Sequence, residues 1–336
     1  MRFSVSRVSL AVGLGLGIAF LLVLSLWWMT RMPGHSSLTM SPALTEEEHA
    51  LRDHLEREVE IFADVIGERH LGRHDALLQA ANYIYATLQA MGYAVTRQVY
   101  VVEGKTVTNL EARIVGHSAP HDIVVLGAHY DSVAGSPGAN DNATGVAALL
   151  ELARFLAGRR LTRSVHLVAF VNEESPFFGT ADMGSRRYAR RVRAQGENII
   201  AMVSLEMLGY YTDAPGSQRY PFGLRFFYPD RGNFVGFVGN LSSRALVQQS
   251  IAAFRRHTSF PSEGLAAPWW TPGVFLSDHG SFWREGYPAI MVTDTGPYRY
   301  PQYHTATDTP EQIDFTRMAH VVAGLHQVAL TLIGEE

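Results

Sequence analysis

Four apolar, β-branched-rich runs in this 336-residue chain each lead into a carboxylate or imidazole side chain, three directly and one through a loop. They are 122–129, ending at His129; 164–172, followed by Glu173 and Glu174; 198–205, followed by Glu206; and 287–294, followed by a loop that carries His304. Continuous apolar runs of this length read as strands buried on both faces. A helical pattern over 146–156 separates the first two runs. Strands alternating with helices imply an α/β fold with a mostly parallel, mixed central sheet covered by helices on both faces. Such sheets gather their ligand-binding residues at the carboxyl ends of the strands, which is where these residues fall.

The residue types specify a chemistry. Asp131 lies two residues beyond His129, close enough to accept a hydrogen bond from the second imidazole nitrogen, the arrangement that orients a metal-bound histidine. The loop 135–145 is rich in turn residues and places Asp141 at or just before a helix N-terminus. Glu173 and Glu174, adjacent on extended backbone, point in different directions. His129, Asp141, Glu174, Glu206 and His304 could together hold two divalent cations. Three carboxylates and a bridging hydroxide balance the four positive charges, and the two histidines are neutral. Nitrogen and oxygen donors without a thiolate fit two zinc ions per chain, with cobalt or manganese as substitutes. Paired metals activate a water for attack on an amide, and Glu173 is left over to carry its proton to the leaving amine. Singly, each piece has a plainer reading: a histidine after a strand is usually structural, and a Glu-Glu pair is usually a solvated face. Their occurrence in order at successive strand ends supports the site.

The chain resembles the co-catalytic di-zinc aminopeptidase family, whose relatives include glutamate carboxypeptidases and glutaminyl cyclases. The matching stretches are Gly-Ala-His-Tyr-Asp-Ser at 127–132, Pro-Gly-Ala-Asn-Asp-Asn-Ala-Thr-Gly at 137–145, Phe-Val-Asn-Glu-Glu at 170–174, Ser-Asp-His at 277–279 and Tyr-His-Thr-Ala-Thr-Asp at 303–308. The resemblance implies a bridging Asp141, one metal site completed by Glu174 and His304, and another by His129 and Glu206. It implies Glu173 as general base, Asp131 as the carboxylate orienting His129, and a supporting role for Asp278, which could equally be a loop cap. Two departures bear on specificity: Glu206 stands where these aminopeptidases more often carry aspartate, and the segment 175–185 is longer than the usual link.

Composition narrows the context. The net charge of −4 gives no footing for nucleic-acid binding, and the absence of cysteine excludes disulfides and thiolate metal sites. Residues 8–29 are uncharged and long enough to span a bilayer, with Trp27 and Trp28 at the far end. No small-x-small cleavage site follows, so the run reads as an uncleaved signal anchor. The expected organisation is a short cytoplasmic N-terminus (1–7), a transmembrane anchor (8–29), a linker (30–43) and a zinc peptidase domain (44–336) on the extracytoplasmic side.

Further along, Thr45 opens a capping box and a helix to about residue 66. A second helix covers 75–91, and strands at 94–102 and 107–115 flank a turn at Gly104 and Lys105. Segments 210–240 and 261–282 read as long aromatic loops, the first with a short strand at 224–228. They form either a hydrophobic substrate pocket or loop packing. The arginines at 186, 187, 190, 191 and 193 form a basic helix face, solvated or facing lipid or a substrate carboxylate. A helix starting near Pro310 packs its apolar face on the sheet. The function expected is an exopeptidase acting on peptides or small aminoacyl substrates, foremost an aminopeptidase. A glutaminyl cyclase, a carboxypeptidase using Arg284 or Arg299, and a non-catalytic peptidase-like domain are the alternatives.

Overall fold

The computed structural model describes residues 7–37, 43–221 and 223–335, with side chains from residue 13 onward. Residues 1–6 of the expected cytoplasmic segment 1–7, and 38–42 of the expected linker 30–43, lie outside the described residues. Helix α1 (Arg7–Thr30) contains an 18-residue window, Gly13–Thr30, of mean hydropathy 1.9, none of it buried by the rest of the chain. Helix α2 (Glu46–Glu60) starts at the capping box: the Glu48 amide donates to Thr45 Oγ1 at 3.2 Å, and the Thr45 amide donates to Glu48 Oε2 at 2.9 Å. A π-helical turn (Ile61–Ile66) continues it to Gly67, whose φ of 75° ends the helix. Helix α3 is His74–Ala90.

Strands β1 (Val95–Val102) and β2 (Lys105–Ile114) form a hairpin. Its turn is Glu103-Gly104, one residue earlier than expected, because both residues adopt the positive φ that a two-residue hairpin turn requires. Then come β3 (Ala119–His129), α4 (Thr144–Leu156), β4 (Arg163–Phe170), α5 (Gly184–Ala194) and β5 (Asn198–Glu206). The chain continues through β6 (Val235–Asn240), α6 (Arg244–His257), β7 (Ser262–Ala267), α7 (His279–Arg284), β8 (Ala289–Thr293) and α8 (Phe315–Ile333). One eight-stranded sheet has the order β1-β2-β4-β3-β5-β8-β6-β7.

The sheet is parallel at its centre, where β3 lies between β4 and β5 and β8 follows β5. Antiparallel pairs β1–β2, β2–β4 and β8–β6 make it mixed, as the sequence implies. Helices α2, α3, α4, α6 and α8 pack together on one face, and α5 and α7 cover the other. The double cover explains the unbroken apolar runs: Val124 and Leu126 face one core, and Val125 meets Phe170, Tyr188 and Phe282 in the other.

Register sets the site. His129 pairs with Phe170, and Glu206 pairs with Thr293, so the carboxyl ends of β3, β4, β5 and β8 finish level. Helix α4 is packed tightly under this edge. A Cβ on Gly145 would lie 2.4 Å from the Leu205 carbonyl oxygen, so only glycine admits that approach.

Three expectations need correction. The segments 210–240 and 261–282 are not wholly loop, since they contain β6 and β7. The expected strand at 224–228 is a single 3₁₀ turn, Leu224–Phe226, entered through Gly223 at a φ of 86°. Helix α8 starts at Phe315, after a separate 3₁₀ turn at Pro310–Gln312.

Candidate active site

All five expected metal-ligand residues converge. Asp141 is central: its Oδ1 lies 3.4 Å from His129 Nε2, and its Oδ2 lies 3.2 Å from His304 Nε2. His129 Nε2 is also 3.3 Å from Glu206 Oε2, and His304 Nε2 is 3.3 Å from Glu174 Oε2. Glu173 stands further back, its Oε2 3.9 Å from His129 Nε2. Two three-residue groups have donor atoms close enough for one ion each: His129, Glu173 and Glu206, and Asp141, Glu174 and His304. In the first, Glu173 takes a place that sequence reasoning reserves for Asp141. Because Asp141 turns one oxygen to each histidine, it can serve both groups and leave Glu173 free.

The donor set fits a cation. Asp141 Oδ1 and Glu174 Oε1 are buried and have no hydrogen-bond partner, a costly state for carboxylate oxygens unless a positive charge faces them. The titration of the cluster agrees. Burial and the charges of Glu206 and Glu174 raise Glu173 far above the usual carboxylate range, despite His129. Burial and the Asp141 charge push Glu174 up to about 7. Burial pulls His304 down, but Asp141 and Glu174 outweigh it and push it up to about 10. Four carboxylates share this space with two imidazoles: Glu173, Glu174 and Glu206 are raised by burial, while at Asp141 burial is outweighed by His129 and His304, which hold its carboxyl below the usual range. Mixed N and O donors of this kind suit zinc.

Local backbone aims these side chains. Among the described residues, five other than glycine have positive φ, and three belong to the site: Asn172, Met207 and His304. Asn172 precedes the Glu173-Glu174 pair and Met207 follows Glu206, so the chain turns sharply where each strand delivers its carboxylate.

Asp131 acts differently from the expectation. Its carboxylate is 3.6 Å from His129 Nδ1, beyond hydrogen-bond range, and the ring faces the Asp131 carbonyl oxygen at 3.2 Å instead. The carboxylate accepts the amides of Glu173 and Glu174, each at 3.1 Å. The physical reason is reach: the Asp131 side chain spans to the end of the neighbouring strand, so it positions the two glutamates directly. Asp278 is fully buried and makes no cap hydrogen bond to α7, which removes the loop-cap reading; burial raises its carboxyl to about 7.

Several supporting residues are not singled out by sequence. Arg69 is completely buried and donates to the carbonyls of Tyr130 (2.7 Å) and Gly138 (2.7 Å), clamping the Asp141 loop to β3. Asp308 accepts the Asn140 and Asp141 amides, and Asn142 ties the loop to Leu205 and Met207. Ser277 Oγ donates to Glu206 Oε2 at 2.6 Å and pairs with Ser204, holding the longer side chain in place. The Asn residues flanking Asp141, and the stretches 277–279 and 303–308, are the local signals of this bracing; Arg69 has none.

An apolar cavity opens beside Glu206 and Tyr303. Tyr220, Leu224, Tyr228, Leu265, Val274 and Met291 line it, so both aromatic segments contribute to one pocket. Trp269 and Trp270 do not line it. Nor do Arg284 and Arg299: Arg284 donates to the Gly179 carbonyl, and buried Arg299 donates to Gln218 and the Phe234 carbonyl. The basic helix face of α5 is tied up in ion pairs, Arg186 with Glu285, Arg187 with Asp182 and Arg191 with Glu111. Arg190 and Arg193 stay exposed, so the face is partly solvated, and none of the five arginines lines the cavity.

Comparison with known proteins agrees with this geometry. The model of peptidase family M28 matches residues 109–329. An uncharacterized Escherichia coli K12 protein, YfbL, is 37% identical over 286 residues, covering 82% of this chain and 87% of that protein. A probable aminopeptidase of Saccharomyces cerevisiae is 25% identical over 62% of this chain and 52% of its own length. Among solved structures, a zinc aminopeptidase from Bacillus subtilis superposes with a TM-score of 0.67 at 16% identity, covering 83% of this chain and 94% of that one. A glutaminyl cyclase from Fimbriiglobus ruber superposes at 0.61 and 19% identity, covering 91% and 100%. With a matching family model over most of its catalytic region and a donor cluster suited to zinc, the chain belongs to peptidase family M28 and is a metallopeptidase.

Proposed function

We propose that this protein is a membrane-anchored aminopeptidase that uses two zinc ions. The observation that carries this reading is Asp141, whose two oxygens face two imidazoles at 3.4 and 3.2 Å, each imidazole with its own glutamate. His129, Asp141 and Glu206 would hold one ion, and Asp141, Glu174 and His304 the other. Zinc, when bound, supplies the Lewis acidity that makes water a nucleophile near neutral pH and polarises the scissile carbonyl.

The protein's own groups do the rest. Glu173 takes the proton of the attacking water and returns it to the departing amine. Asp131, through the amides of Glu173 and Glu174, keeps base and ligand in fixed relative positions. The cavity beside Glu206 receives an apolar side chain of the N-terminal residue and excludes water around it. Helix α1 anchors the domain, which lies on the extracytoplasmic side.

The test is zinc content of the full-length protein in detergent, together with hydrolysis of a panel of chromogenic aminoacyl substrates. Two zinc per chain and preference for free-amine substrates with large apolar side chains are expected. One zinc per chain with cyclisation of N-terminal glutamine would replace this reading by a cyclase.

A further inference from the structure

Trp269 and Trp270 stand 61% and 70% exposed, side by side, and serve neither the core nor the cavity. Two adjacent indoles left in water mark a contact surface. They follow directly on β7, whose last residue, Ala267, pairs with Asn240 at the end of β6. From that same end of the sheet come exposed Leu241 and Arg244, the first residue of α6. The Arg244 guanidinium lies 4.3 Å above the Trp28 ring and donates to the Trp28 carbonyl at 3.1 Å. The tryptophan pair and the last turn of α1 therefore hang from one corner of the domain.

The connection between anchor and domain has no slack. Met32 is buried against Gly264 and Ile251, where a Cβ on Gly264 would lie 2.7 Å from Met32 Cγ. The Pro33 carbonyl accepts from Arg255 at 2.9 Å, and Ser36 Oγ accepts the Ser262 amide at 3.0 Å. Two residues of chain, Thr30 to Met32, reach about 7 Å at most. Wherever α1 leaves a bilayer, the β6–β7 corner is held at its surface. Trp27 and Trp28 are exposed there too, with Arg31 5.7 Å above Trp27. Indoles settle at the headgroup level of bilayers, and arginine pairs with lipid phosphates.

We propose that Trp269, Trp270 and Leu241 insert into the headgroup region of the leaflet at which α1 ends, docking the catalytic domain on the phospholipid surface. This rests on the reading of α1 as a membrane anchor. Gly264 touches Met32 and also lines the cavity, so docking sets how far the cavity stands from the lipid.

The chain has no cysteine, so single cysteines can be introduced and labelled. Full-length Trp27→Cys, Trp269→Cys, Trp270→Cys and Asp53→Cys are each labelled with an environment-sensitive dye and reconstituted in vesicles of phosphatidylcholine and phosphatidylglycerol containing brominated lipid. Asp53 is an exposed control on α2, which packs on α4 and α8. Bromolipid quenching at 27, 269 and 270 about twofold or more above that at 53 is expected for side chains at headgroup depth. Quenching at 27 but not at 269 and 270 overturns the docking and leaves the anchor intact. No quenching at 27 overturns the anchor, and the docking falls with it. A blue-shifted label at 270 without lipid quenching points to a protein partner, such as a second copy of this chain, and also overturns the proposal.

Discussion

Glu173 differs from its neighbour Glu174 by a small displacement with a large consequence. Its carboxylate stands 3.9 Å from His129 Nε2, while Glu206 and Asp141 approach to 3.3 and 3.4 Å. The proposed division into base and ligands depends on that gap. Glu173→Gln is therefore expected to lower kcat by about 10²- to 10⁴-fold, the usual range for a general base. Zinc content, measured by mass spectrometry, should stay at the wild-type value. Loss of one metal equivalent would show that Glu173 is itself a ligand. At this scale the sequence specified residue types well and partners poorly. Asp131 was legible as a carboxylate near His129, but its hydrogen bonds go to amides 42 and 43 residues away. Arg69 had no legible signal, since its partners are backbone carbonyls brought to it only by folding.

Elements differed in how much their own residues announced them. Strands β3, β4, β5 and β8 are apolar throughout because both faces are covered, and they were read from sequence to within a few residues. Strands β6 (Val-Gly-Phe-Val-Gly-Asn) and β7 (Ser-Glu-Gly-Leu-Ala-Ala) are short and glycine-bearing. Glycine weakens intrinsic strand preference, and these two owe their conformation to pairing with β8 and with each other. Helices α4 and α8 meet through a ring stack, Phe155 on His326, with centroids 4.2 Å apart. Burial, aided by the Arg159 charge, lowers the His326 pKa from 6.5 to about 4. His166, buried beneath α5, is likewise lowered to about 4, burial being the main cause. Between these limits the unfolded chain binds protons that the folded chain does not. The stability these two neutral histidines contribute is therefore complete above about pH 6.5 and falls as pH drops toward 4. His326→Phe keeps the stack and removes the titration. The difference in Tm between about pH 7.5 and pH 5 should shrink in this variant; an unchanged difference would show that His326 titrates normally.

On the scale of the whole molecule, the chain divides into a bare apolar helix and a domain that buries its own core. Helix α1 has a mean hydropathy of 1.9 over the 18 residues Gly13–Thr30, none of them buried by the rest of the chain. The full-length protein is expected to remain in the membrane pellet after alkaline carbonate extraction, as read by immunoblot; recovery in the supernatant would remove the anchor. The sequence alone determined the α/β class, the strand ends that bear the site, the five residues that converge there and the apolar N-terminal run. All of these depend on local periodicity and residue chemistry, which need no knowledge of neighbours. Only the tertiary structure decided the antiparallel flank that adds β6 and β7, the gathering of two distant aromatic segments into one cavity and the seating of Met32 on the sheet edge. It also decided that Asp131 holds the glutamates. Each of these is a contact between segments far apart in sequence, set by strand order and register, and no local pattern encodes which strand will lie beside which.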